Sequence, residues 1–68
     1  MKSNQPKHPT FLRKGKVVDI TGLSPSTLER LIKQGLFPKP TYLHEKSRIP
    51  LWLDEVVYQW MRDMADQE

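Results

Sequence analysis

The chain reads as a mainly helical α+β domain, and three observations predict it. Two short helical patterns meet at Thr21-Gly22-Leu23-Ser24. A proline-rich connector then leads into two extended runs around a polar tip. A final stretch repeats its apolar residues at spacings of three and four. Together these describe a small winged helix-turn-helix: two helices at a tight glycine turn, a two-stranded β-hairpin wing and a C-terminal helix.

Each element has its own local cause. Met1–Pro9 is polar with two prolines and is expected to be a mobile arm, ahead of a domain over 10–68. An arm of this kind also suits a minor groove, and both readings stay open. Thr10-Phe11-Leu12 suits a short extended lead-in. The first helix is predicted from about Lys14 to Thr21, with Val17, Val18 and Ile20 inward. Gly22 supplies the left-handed backbone that closes it, and Leu23 is placed to plug the angle between the helices. Ser24 is a good N-cap, and Pro25 then falls at N1, where its missing N–H costs nothing.

The second helix is predicted over Pro25–Gln34. Leu28, Leu31 and Ile32 form one apolar stripe at i, i+3 and i+4. At 100° per residue, Ser26, Arg30 and Lys33 take the opposite face. Glu29 lies beside them and Thr27 to the other side. Gly35 is a natural C′ residue and Pro38 blocks continuation.

Beyond the Phe37-Pro38-Lys39-Pro40 connector, Thr41–His44 and Arg48–Trp52 are candidate strands flanking Glu45-Lys46-Ser47. Pro50 is tolerated only at a strand edge, so such a hairpin cannot sit inside a larger sheet. A hairpin alone is marginal, so Leu43, Ile49, Leu51 and Trp52 are expected to pack on the helices. The last helix is expected from Leu53 or Asp54 to about Ala65. Asp54 and Glu55 suit its N-terminal cap and first turn, and Val56, Val57, Trp60, Met61 and Met64 form its core-facing stripe.

Composition narrows the function. Sixty-eight residues at 37% hydrophobic support one small core but not the walls of a substantial catalytic pocket. A chain opening on Met1 is expected to be whole. It has no cysteine, so neither a disulfide nor a thiolate metal site forms. No apolar run approaches the ~18 residues of a membrane span, and no signal-peptide core is present. The expected location is the bacterial cytoplasm, on the nucleoid when bound. His8 and His44 lack ligand-spaced companions, and no serine triad or glycine-rich phosphate loop appears. Neither an enzyme nor a cofactor nor a small-molecule ligand is expected.

Charge is divided along the chain. Residues 1–48 carry ten Lys/Arg against three acids, a balance of +7. Residues 49–68 carry only Arg62 against five acids, a balance of −4. One surface is thus suited to a polyanion and another faces away from it. Ordinary scatter of surface charge is the competing account.

The exposed face of the second helix carries groups that meet phosphates and base edges. Arg30 suits guanine O6 and N7, while Ser26 and Thr27 suit either bases or backbone. Lys33, Lys46 and Arg48 suit phosphates, and Glu29 either accepts from cytosine N4 or repels phosphate. The plain alternative is a solvated face with a Glu29–Lys33 pair at i, i+4. For the wing it is a structural hairpin with a soluble tip.

Several motifs occur in order: Thr21-Gly22-Leu23-Ser24, Ser26-Thr27-Leu28 with Arg30, Lys33 and Gly35, Phe37-Pro38-Lys39-Pro40, and Trp52 eight residues before Trp60. In these the chain resembles the AlpA family of phage-type regulators, within the MerR and excisionase group of small winged-helix proteins. The resemblance spans about Phe11 to Met64. It implies that the second helix reads a major groove and the wing touches backbone or minor groove. Carried over by position, Ser24, Ser26, Thr27, Arg30 and Lys33 fall on the reading helix, and Arg48 matches the basic residue four positions before Trp52. The chain departs from the family pattern at Pro25, often basic, at Glu29, often tyrosine, and at Lys14, usually apolar. Its wing, His44-Glu45-Lys46-Ser47, is longer than usual and lacks the customary glycine.

The expected function is therefore sequence-specific binding of double-stranded DNA, as a transcriptional regulator of prophage or mobile-element genes. The alternative is an excisionase, a recombination directionality factor that bends attachment-site DNA and recruits integrase. A third option is a protein-binding inhibitor of a response regulator. Several copies are expected on DNA, since a module this small buries limited area.

Overall fold

The structure is a computed structural model, and it describes residues 9–67. Nearly all of the expected arm therefore lies outside the described residues. Chain order is β1 (Phe11–Arg13), α1 (Lys14–Thr21), α2 (Pro25–Lys33), β2 (Leu51–Leu53) and α3 (Asp54–Ala65). Three helices around a two-stranded antiparallel sheet make this a small winged helix-turn-helix.

The joint between α1 and α2 is built as its residue types dictate. Gly22 adopts φ 78°, and its N–H donates to Val18 O at 2.9 Å, closing α1. Thr21 donates its hydroxyl to Val17 O at 2.8 Å and accepts from the Leu23 N–H at 3.3 Å. One threonine thus stitches the end of α1 to the turn. Leu23 packs half-buried against the core. Past α2, Gly35 at φ 76° completes a double closure, with Gly35 N–H to Ile32 O and Leu36 N–H to Leu31 O. That pair of bonds is the Schellman arrangement, and it turns the chain sharply into Phe37.

The core is Leu12, Val17, Leu28, Phe37, Trp52 and Val57, all buried, ringed by half-buried Val18, Ile20, Leu23, Leu31, Ile32, Trp60 and Met61. Every element except the 42–50 loop contributes. Phe37 sits between the two tryptophans, edge-on to each, with ring centroids 6.4 Å from Trp52 and 4.7 Å from Trp60.

The pairing within the wing differs from the expectation. Leu51–Leu53 pairs with the lead-in Phe11–Arg13, in the register Phe11–Leu53, Leu12–Trp52 and Arg13–Leu51. The expected strands Thr41–His44 and Arg48–Trp52 meet at one bridge, Thr41–Leu51, closed by N–H···O bonds of 2.6 and 3.0 Å. The next rung of that register would join Ile49 to Leu43. Instead the Ile49 N–H donates to Ser47 Oγ, the Lys46 N–H to His44 Nδ1 and the Ser47 N–H to His44 O. Side-chain acceptors inside the loop outcompete the ladder, and Pro50 has no N–H to extend it towards β1.

Two burial expectations change as a result. Leu43 is 62% exposed and Ile49 44%, so neither packs on the helices. On α3, Val57 is buried and Trp60 and Met61 half-buried, but Val56 and Met64 are exposed. The helix is the last element and rests mainly on β2, so only a narrow stripe is covered. Asp54 is the first residue of α3 rather than its cap: it exchanges two bonds with Thr10, N–H to Thr10 O and Oδ1 from the Thr10 N–H. That exchange anchors the start of β1.

Candidate nucleic-acid interface

The second helix is presented by its cap. Ser24 Oγ accepts from the Thr27 N–H at 3.2 Å and donates to Thr27 Oγ1 at 2.9 Å. Ser24 thereby commits its hydroxyl proton and one lone pair to starting α2, and Thr27 is half-buried beside it. Pro25 sits at N1, as its fixed φ favours. Leu28 is buried and Leu31 and Ile32 are half-buried, which sets the rotation of the helix. Ser26, Glu29, Arg30 and Lys33 are left exposed along the other side. Four of the six candidates on or capping α2 thus share one open face, and the other two shape its start.

The two remaining candidates, Lys46 and Arg48, are exposed on the 42–50 loop. The Thr41–Leu51 bridge ties the ends of that loop to β2, so both cations ride on a projection anchored in the core. Neither lies on a strand, because Thr41 alone of the first expected strand is paired.

Glu29 carries the site's main electrostatic feature. Its Oε2 is paired with the Lys14 ammonium at the start of α1. Lys14, first by its hydrogen bond and then by its charge, holds the Glu29 carboxyl below the ordinary range, with Lys33 adding a smaller pull. Lys14 was not among the candidates drawn from the sequence. The two residues stand 15 positions apart, and no spacing rule joins them. The available signal was that both depart from the family pattern: a charge replaces an apolar residue at one position and a tyrosine at the other, and the two charges are opposite.

Elsewhere, an open groove of about 360 Å³ is lined by Pro38, Glu55, Val56, Gln59, Trp60 and Asp63. It holds no candidate residue and no nucleophile with a neighbouring base. Among the described residues no group of three His, Cys, Asp or Glu gathers to hold a metal ion. No described helix is long and apolar enough to cross a membrane.

With that geometry in view, residues 10–65 match the family described as the prophage CP4-57 regulatory protein (AlpA). The chain belongs to the AlpA family. The match spans every helix and both strands of the described residues, so the family assignment and the fold cover the same segment. No curated protein and no solved structure matches the chain. AlpA-family membership makes this a phage-type regulatory protein, and it places Lys14, Glu29 and the loop cations inside the matched segment.

Proposed function

We propose that this AlpA-family protein binds double-stranded DNA sequence-specifically and regulates transcription of prophage or mobile-element genes. The observation that carries the reading is the exposed face of α2, with Ser26, Glu29, Arg30 and Lys33 held outward by a capped start and a buried Leu28. In a helix-turn-helix this second helix enters the major groove.

Roles follow from the side chains. Arg30 pairs with guanine O6 and N7, a contact worth about 1–3 kcal/mol of discrimination. Ser26 and the free proton of the Thr27 hydroxyl reach bases or nearby phosphates. Lys33, Lys46 and Arg48 meet phosphates, supplying affinity and salt dependence without sequence information. Ser24 acts through the cap it makes.

The test is an Arg30→Ala titration on a duplex selected by the wild-type protein and on random duplex. A larger loss on the selected site supports base reading by Arg30. Equal losses on both leave Arg30 a phosphate contact. Failure of the wild-type protein to bind either duplex at low salt would remove the DNA-binding reading altogether.

A further inference from the structure

The Lys14–Glu29 pair joins α1 to the face of α2 that would read DNA. Lys14 Nζ engages Oε2 of Glu29, and the Glu29 side chain is still 57% exposed. On the helical wheel Glu29 stands within 60° of Ser26 and 40° of Lys33, so it belongs to the same face at its α1 edge. We propose that Lys14 and Glu29 work as one unit that selects cytosine in the major groove. Glu29 Oε1 accepts from the cytosine N4 amino group, and Lys14 is a positioning residue that holds the carboxylate in place. This inference rests on the DNA-binding reading above.

The chemistry of an ionised carboxylate sets the choice of base. Glu29 is ionised at neutral pH, as any exposed glutamate is, and Lys14 lowers its carboxyl further below the ordinary range; a charged carboxylate only accepts hydrogen bonds. It therefore opposes the acceptors O6 and N7 of guanine and O4 of thymine, leaving the amino groups of cytosine and adenine. Adenine presents its N7 acceptor beside the amino group, so the second carboxylate oxygen would face a lone pair there. Cytosine presents a donor alone. Lys14 also offsets the repulsion that an unpaired carboxylate would meet from the flanking phosphates. A carboxylate whose charge is balanced, and which is held, by a lysine of another helix is preorganised for one contact.

The experiment is selection from a randomised duplex library by the wild-type protein, Glu29→Ala, Glu29→Gln, Lys14→Met and Lys14→Arg. The expected wild-type motif contains a position where cytosine is favoured by about 5- to 150-fold. Glu29→Ala flattens that position and leaves the others. Glu29→Gln shifts it to adenine, because a carboxamide matches the adenine donor and acceptor together. Lys14→Met weakens the same position alone, and Lys14→Arg restores it, which a general loss of fold would not do. An unchanged motif in Glu29→Ala and Glu29→Gln overturns the inference while leaving the DNA-binding reading intact. No enriched motif from the wild-type protein overturns both.

Discussion

Trp60 donates its indole N–H to the Leu36 carbonyl at 2.8 Å, across 24 residues of sequence. The bond joins α3 to the residue just past the glycine closure of α2. Trp52 makes the companion bond, Nε1–H to Pro38 O at 2.9 Å, so the carbonyls on either side of Phe37 are both held by indoles. The end of α2 is thereby clamped to β2 and α3, which fixes the face it presents.

The two clamps should differ in strength. Trp52 is buried, and Trp52→Phe removes the indole donor from the Pro38 carbonyl in a part-buried bond, at a cost of about 1–3 kcal/mol plus lost packing. Trp60 is only half-buried, and its bond lies at the surface, so Trp60→Phe should cost about 0.5–1.5 kcal/mol. Urea denaturation of the two variants measures the difference. Equal losses would mean the indole bonds contribute little beyond ring burial.

Gly22 supports a second prediction. A methyl group there meets nothing within 4 Å, so only the backbone at φ 78° opposes it. Gly22→Ala should destabilise by about 1–2 kcal/mol, and Gly22→Asn by less, since asparagine tolerates the left-handed region. Thermal melts compare the three proteins. A neutral Gly22→Ala would show that the turn relaxes to another geometry.

Ser24 can be separated from the reading face. Ser24→Ala removes the cap on α2 and should cost about 1 kcal/mol of stability, whereas Ser24→Asp keeps a capping oxygen. If Ser24 acts only as a cap, the alanine variant loses DNA affinity in proportion to its lost folding, and the aspartate variant keeps its folding stability. Paired denaturation and binding curves decide it. Affinity lost by a fully folded Ser24→Ala would reveal a direct contact.

The Lys14–Glu29 pair has a signed pH dependence. A carboxyl whose folded-state pKa is lowered adds stability above its unfolded-state value, and that increment is lost as pH falls through the folded value. The window is therefore the ordinary glutamate range and just below it. In an NMR titration, Lys14→Met should move the Glu29 midpoint upward, because its largest stabilising partner is gone. A midpoint that stays put would mean the pair does not persist in solution.

The loop cations predict a salt effect. If Lys46 and Arg48 each meet a phosphate, replacing either by alanine should lower the slope of log affinity against log salt by about 1. Base preference should be untouched. Titrations across salt concentration read the slope directly, and an unchanged slope would free the loop from any role in binding.

Local chemistry was enough to read the three helices, the glycine turn, the Ser24 cap and the outward face of α2. Each depends on neighbours within four residues, where helix periodicity and capping rules act. The family motifs were legible for the same reason, since they lie along the chain in order. Partner choice across the chain was not legible. Leu51–Leu53 lies equally well beside Thr41 or Phe11 as far as residue type goes. His44 and Ser47 capture the loop amides, and the Thr10–Asp54 exchange brings β1 alongside β2, so the long-range pairing wins. Lys14 met Glu29 only once α1 and α2 were set at their angle, because a contact over 15 positions is made by packing and leaves no periodic trace in the sequence.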